Sequence, residues 1–272
     1  MPIPQFRYPN AFVPTMGALH IGHESLIKLA RQYCEEVVVS IFVNPLQFEN
    51  PKDLESYPGK LGADTKVAIR AGATKVWAPT LEDIYPDRGN QFERVIKIES
   101  GALGEKFEGA SRPGHFDGML TVVKRLFEVV NPAWAIFGEK DFQQLALVKQ
   151  MVQNLGMPTQ IISAPLIREI DGLALSSRNV RLTSEGRAAA LVISKALYLA
   201  ANEVSLSAQL ATLNSVLIGE SRFILDYAVI IVESNFEPAD SEKTNNRALV
   251  AGWVDGVRLL DNMKMPRSDV IK

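Results

Sequence analysis

The sequence predicts an α/β protein, a doubly wound parallel sheet followed by a second, smaller α+β domain. Up to Ala164, short runs rich in β-branched residues alternate with longer stretches of helical periodicity, the pattern of βαβ units. From about Ile167 that alternation gives way to two successive helices and then a run of strands. Hydrophobic residues make up 47% of 272 positions, enough for one large core or two smaller ones.

Taken in order, residues 12–13 end a first strand, 24–34 carry the apolar spacing of a helix, and 37–43 form a continuous apolar strand. The prolines ahead of this region, Pro2, Pro4 and Pro9, predict that the first strand is frayed. A helix over 61–71, a strand over 74–77 and a short strand over 94–98 follow. Residues 118–130 read as helix, 134–137 as strand, 142–155 as helix and 159–164 as strand, completing a Rossmann-like domain over 1–166. The second domain, 167–272, begins with a loop rich in Gly and Ser. Helices at 183–204 and 207–221 precede strands at 225–232, 248–253 and 257–260, with the polar stretch 240–246 as a hairpin loop.

Charge and cysteine content narrow the classes of function. With 29 basic and 31 acidic residues there is no positive surplus to favour nucleic acid as a partner, so any anion site must be local. The single cysteine, Cys34, has no partner for an internal disulfide, and the first residues lack the basic and apolar regions of a secretory signal. A cytoplasmic location is expected. The longest apolar runs fall well short of the ~18 residues that a membrane span requires, so no membrane insertion is expected.

Three clusters carry chemistry. Met16-Gly17-Ala18-Leu19-His20-Ile21-Gly22-His23 lies between a strand end and a helix, the place in an open parallel sheet where helix amides and the helix dipole receive phosphate. Gly17 permits a turn there, and the two imidazoles can donate to oxygens that gain charge. A zinc pair or two capping histidines are the alternatives, and zinc lacks further ligands at suitable spacing. Gly138-Glu139-Lys140-Asp141 repeats the strand-to-helix situation, with Lys140 as a cation for polyphosphate and Gln144 able to offer an amide to a substrate. By itself this turn reads as a solvated helix start capped by Asp141. In Leu175-Ser176-Ser177-Arg178, two hydroxyls and a guanidinium can clamp phosphate oxygens, whereas a lone Ser-Ser-Arg is more simply a surface turn. Together the three would surround one triphosphate. The His-Ile-Gly-His signature and the later Ser/Arg loop resemble the nucleotidyltransferase superfamily that includes class I aminoacyl-tRNA synthetases, the HIGH-motif enzymes.

A closer resemblance rests on residues 14–23, Phe42-Val43-Asn44-Pro45-Leu46-Gln47-Phe48, Arg112-Pro113-Gly114-His115-Phe116-Asp117-Gly118, Thr121-Val122-Val123, 137–144 and 171–179. Across about 12–262 the chain resembles the pantoate–β-alanine ligase (pantothenate synthetase) family. The resemblance implies condensation of pantoate with β-alanine through a pantoyl adenylate made from ATP with Mg2+, releasing pyrophosphate and then AMP. It implies catalytic roles for His23, His20, Lys140 and Arg178, with His23 as proton donor to the departing pyrophosphate. It implies ATP contacts from residues 16–23, from Gly138, Glu139, Lys140 and Asp141, from Ile167, and from Leu175, Ser176, Ser177 and Arg178, the second domain covering the ATP site. Gln47 and Gln144 would hold pantoate, with Asn44 and Gln47 beside β-alanine. Asp64 is a candidate for the magnesium environment, with an exposed helix-start carboxylate as the alternative. The resemblance sets Arg112 and His115 near the site without a catalytic task, and suggests a homodimer. Another HIGH-motif nucleotidyltransferase, or an inactive nucleotide-binding paralogue, are the competing functions. The loop between Asn44-Pro45 and Tyr57-Pro58 is expected to be either a mobile cover over the intermediate or an inert surface loop.

Overall fold

The computed structural model describes residues 3–48, 54, 59–88 and 95–266. The chain divides into two compact units, Met1–Pro165 and Leu166–Lys272. In the first, strands β1 (Ala11–Thr15), β2 (Val37–Ile41), β3 (Lys75–Trp77), β4 (Trp134–Gly138) and β5 (Gln160–Ala164) form one parallel sheet in the order β3-β2-β1-β4-β5. The sheet is covered by α1 (Ile21–Tyr33), α2 (Leu61–Ala71), α3 (His115–Val130) and α4 (Phe142–Asn154). Strand alternation sorts the helices between its two faces. Ala11, Val13, Val37 and Val39 meet Ile27 and Ala30 of α1 and Ala68 and Ala71 of α2. Phe12, Val38, Ala135 and Phe137 turn the other way, onto α3 and α4. There Phe127 takes Phe12 and Phe137 edge-on, at centroid distances of 6.2 and 6.3 Å. This is the doubly wound arrangement that the alternating pattern predicts.

The strand expected to fray is instead the centre of the sheet. Ala11, Phe12 and Val13 are fully buried, and all five residues of β1 pair with β2. Pro4 and Pro9 precede the strand and leave its ladder untouched, whereas Pro14 lies inside it. The Ala11 amide donates toward β2, to Glu36 O at 2.9 Å, so the nitrogens of Phe12 and Pro14 face β4. Pairing with β4 runs only through Ala11 and Phe12, and the ladder stops before the position that has no N–H to give. Because β1 has a neighbour on each side and the chain order reverses there, the β1/β4 border is the topological switch point of the sheet.

Two other expectations change. The first helix starts at Ile21, with His20 as its N-cap, so the last three residues of His-Ile-Gly-His form its first turn. Residues 95–98 form no strand. The Ile98 amide donates to Thr121 Oγ1 at 2.8 Å and Ile96 stands in solvent, so the alternation there has no strand to pair with. Arg94, and most of the loop expected to cover the site, lie outside the described residues.

In the second unit, α5 (Ser184–Ala201) and α6 (Leu206–Ile218) pack on an antiparallel sheet of β6 (Phe223–Val232), β7 (Asn246–Val254) and β8 (Val257–Lys264) in that order. Thr183 and Ser205 accept hydrogen bonds from Gly186 N and Ala208 N, which fixes both helix starts. Ile193, Leu197, Leu213 and Leu217 close over Ala248 and Val250. This is an α+β unit with a core of its own.

Candidate active site

The loop leaving β1 is tied down at successive backbone amides. Thr15 Oγ1 donates to Ser40 O at 2.7 Å and accepts from Gly17 N at 3.3 Å. Gly17 then takes φ +89°, and Ala18 is held at φ +52°, where a side chain is strained. Asp64 secures that strained turn. It is buried at the start of α2, and its two oxygens accept from Ala18 N at 3.0 Å and Leu19 N at 2.8 Å. Asp64 is therefore not an exposed helix-start carboxylate. A Cβ on Gly17 would stand 3.1 Å from Asp64 Oδ2, so the two residues fit as a pair.

The histidines continue the pattern. Gly22 N donates to His20 Nδ1 at 3.1 Å, and His20 N donates to His23 Nδ1 at 3.2 Å, a capping box made of two imidazoles. The Gly22 amide, one of the helix-start N–H groups, is therefore already taken. Each imidazole that accepts at Nδ1 carries its proton on Nε2, so both rings keep a donor directed away from the backbone they cap. The two rings lie 4.1 Å apart. Burial, helped by neighbouring His20, pulls the His23 pKa down to about 3. The His23 ring is thus neutral at pH 7, with one N–H to offer and no second proton to release.

The second cluster comes to the same place. Lys140 and Asp141 both act electrostatically on His23, Lys140 lowering its proton affinity and Asp141 raising it, so the turn after β4 faces the loop after β1. Glu139–Asp141 form a 3-10 turn directly after β4. Asp141 occupies the N-cap position of α4, but its side chain does not cap; it lies 3.1 Å from Lys140 Nζ. Gln144 sits in the first turn of α4. Its neighbour Gln143 instead binds Leu103 O, Lys106 O and Glu108 N inside the fold.

Pro45–Gln47, a 3-10 turn beyond β2, is pressed onto the start of α3. A Cβ at Gly118 would fall 2.2 Å from Leu46 O, so only glycine allows this approach. His115 Nδ1 lies 2.8 Å from Gln47 O and Arg112 Nη2 donates to the same carbonyl at 3.2 Å. A carbonyl only accepts, so His115 carries its proton on Nδ1 and leaves Nε2 to accept from Arg112 Nη1 at 3.2 Å. The Gln47 side chain donates from Nε2 to Met16 Sδ at 3.0 Å, joining this turn to the β1 loop. Asn44, expected to touch substrate, is 1% exposed and engaged entirely within the protein.

The third cluster belongs to the second unit. Ile167 O accepts from Leu175 N at 3.1 Å, and the Ser176 hydroxyl caps the turn Ser177–Arg181 by accepting from Arg178 N at 3.2 Å. Asn179 donates to Glu169 Oε1 at 2.8 Å and Ala174 O at 3.0 Å. Arg187 of α5 grips Glu169 at 2.7 Å and Asp171 at 2.6 Å, and the Arg187 hydrogen bond holds the Glu169 carboxyl below its ordinary pKa. Arg168 binds Asp261 of β8 with both terminal nitrogens.

The comparisons with known proteins decide among the superfamily's members. The family model described as pantoate-beta-alanine ligase matches residues 5–264. The chain belongs to the pantoate–β-alanine ligase family. It is 44% identical over 268 residues to a pantothenate synthetase of Acidothermus cellulolyticus, covering 96% of this chain and 87% of the relative. With a pantoate–β-alanine ligase of Schizosaccharomyces pombe the identity is 46% over 259 residues, covering 93% and 90% of the two chains. Among solved structures, a pantothenate synthetase of Thermus thermophilus superposes with a TM-score of 0.89 at 42% identity, covering 95% of this chain and 94% of that one. The Francisella tularensis pantoate–β-alanine ligase, complexed with beta-gamma ATP and β-alanine, gives 0.77 at 39% identity, covering 94% and 89%. For a ligase of this family, Thr15 and Tyr85 are the residues that sequence reasoning passes over. Both are hydrogen-bonded to residues of these loops, and a threonine ending a strand or a tyrosine before a proline carries no sign of it.

Proposed function

We propose that this chain condenses pantoate with β-alanine, coupled to cleavage of ATP to AMP and pyrophosphate. The observation that carries the reading is the meeting of the two capping imidazoles, His23 among them held neutral by burial, with Lys140 at the switch point of the sheet, in a chain of this family. In the first step a pantoate carboxylate oxygen attacks the α-phosphorus and the bond to pyrophosphate breaks, giving pantoyl adenylate. In the second, the β-alanine amine attacks the activated carbonyl, AMP leaves with the carboxylate oxygen, and the amine gives up a proton. Neither step requires a covalent link to the protein.

The residues divide the work by charge. His20 and His23 donate from Nε2 to phosphate oxygens as negative charge accumulates, and Lys140 supplies the positive charge that the rings lack. The 16–23 loop and the Gly138–Asp141 turn shape the ATP contact. From the second unit, Ile167, Leu175, Ser176, Ser177 and Arg178 are assigned to ATP by motif. Gln47 and Gln144 hold pantoate, and Gln47 lies near the incoming amine. Asp64 does not suit a resident magnesium ion, since both its oxygens receive backbone N–H groups, and no group of three or more His, Cys, Asp or Glu side chains among the described residues is arranged to hold a metal. Magnesium enters in this reading with the nucleotide, as Mg–ATP.

The deciding experiment is AMP release measured with pantoate, β-alanine and ATP omitted in turn. AMP and pantothenate formation that needs all three supports the ligase. AMP formation without pantoate would point to a different acceptor, and ATP binding without turnover to a non-catalytic relative. We further propose a cytoplasmic homodimer, for which sedimentation at micromolar concentration is the check; no helix among the described residues is long and apolar enough to cross a membrane.

A further inference from the structure

A buried chain of amides behind the pantoate residues has a direction. Tyr85 Oη donates to Asn44 Oδ1 at 2.8 Å, and Leu46 N adds a second donor to that oxygen at 3.3 Å. Asn44 Nδ2 spends its hydrogens on Gly118 O at 3.0 Å and Gln47 Oε1 at 3.2 Å. All four hydrogen-bonding positions of the Asn44 amide are filled, so it has nothing left for a substrate. Gln47 must then turn its oxygen toward Asn44 and its NH2 toward Met16, whose thioether is a weak acceptor. A weakly held donor facing the β1 loop is matched to a substrate oxygen and opposed to a substrate N–H.

We propose that Tyr85 is a positioning residue of this active site, which acts through Asn44 to hold Gln47 with its amide NH2 presented to an oxygen of the hydroxy acid. The inference rests on the pantoate reading for the identity of that acid. Tyr85 suits the task because it is 4% exposed and burial pushes its hydroxyl pKa up, so it stays a donor throughout the working pH range. Asn44 thereby moves from substrate contact to intermediary. Gly118 O and Leu46 N also favour this orientation of Asn44, so loss of the Tyr85 hydroxyl loosens the relay, whereas a carboxylate at position 44 reverses it.

The test uses the full chain with Tyr85→Phe, Asn44→Asp and the double variant. Tyr85→Phe is expected to raise the pantoate KM about 3- to 10-fold while the ATP KM stays within about twofold, a split that general loosening of the fold would not produce. Asn44→Asp turns Gln47 around and is expected to raise the pantoate KM at least ~50-fold. Adding Tyr85→Phe to it is expected to cost nothing more, because the relay is already broken. Full additivity of the two changes, or an unaltered pantoate KM in Tyr85→Phe, overturns the proposal. A second readout needs no substrate: the side-chain NH2 resonances of Asn44 and Gln47. Tyr85→Phe is expected to speed hydrogen exchange at Asn44 and shift Gln47 in the ligand-free chain, and unchanged spectra overturn the relay even if the wild-type chain makes no pantothenate. Failure of the wild-type assay alone refutes the substrate assignment, and failure of the spectra alone refutes the relay.

Discussion

The loop after β1 and the loop of residues 167–181 are both assigned to ATP, yet they are held by different physics. The first is fixed by short-range bonds among mostly buried groups: the Thr15 hydroxyl, two capping imidazoles, and one carboxylate whose oxygens both face backbone N–H groups. The second hangs on guanidinium–carboxylate pairs, of which those made by Arg187 are about a third exposed. Buried hydrogen bonds resist salt and leave costly orphans when broken, while half-exposed ion pairs are screened and contribute little each. The comparison teaches that the loop after β1 is built to stay in one shape, and that the second loop, though Arg168 anchors it to the buried Asp261, is held more lightly at its Arg187 attachment.

Breaking the first loop should have the largest effect. Asp64→Ala leaves the Ala18 and Leu19 amides without their acceptor, at ~1–3 kcal/mol each, beside a strained residue. The expected result is a melting temperature lower by roughly 5–15 °C and turnover reduced at least ~100-fold. Calorimetry and AMP release check both, and wild-type values for Asp64→Ala would remove the brace. His23→Ala and Lys140→Ala should each reduce turnover at least ~10-fold with far smaller losses of stability, since they remove donors to developing charge. Wild-type turnover in both would cancel these roles.

Arg187→Met should act more gently, with ~1 kcal/mol or less of stability lost and a few-fold rise in the ATP KM. This deficit should shrink in high salt, where the wild-type pair is itself screened, while the Asp64→Ala deficit should not. Equal salt dependence of the two deficits would erase the distinction. Acid acts on the two loops in different ranges. His23 has its proton affinity depressed on folding, so between about 6.5 and about 3 the unfolded chain binds more protons and stability falls as the pH is lowered. Glu169 is depressed as well, so its contribution is complete above its ordinary value of 4.5 and is lost as pH falls through the lower folded value. Acid should therefore begin to weaken the first loop before the second. In the ligand-free chain the His23 ring resonances should not titrate between about pH 5 and 8, and a midpoint near 6.5 would contradict the neutral-donor role.

Much of this was legible because periodicity reports burial. Leu61–Ala71 is the helix that its apolar spacing predicts, to the residue, and the alternation of Ala11, Phe12 and Val13 between two cores is what a doubly wound sheet requires. The start of α1 was legible only through the alternative reading of two capping histidines, because histidine is an unusual N-cap and a second imidazole three positions on is what makes it work. Residues 95–98 show the opposite failure, a β-branched alternation with no strand beside it. In the candidate site, the histidines, Lys140 and the Ser-Ser-Arg loop stood out by motif. Their supports did not, since Asp64 lies more than forty positions from the amides that it holds and Tyr85 about as far from Asn44. Nor does the sequence display that a motif residue such as Asn44 has no free valence for a ligand.

Pro14 sits in the middle of the sheet, at the one border where two strands meet and then part. Its ring removes the proton that could have zipped β1 to β4 one rung further, so the gap is written into covalent chemistry and does not wait for a guest to pry it open. A residue with an N–H at this position would let β1 and β4 pair one rung further.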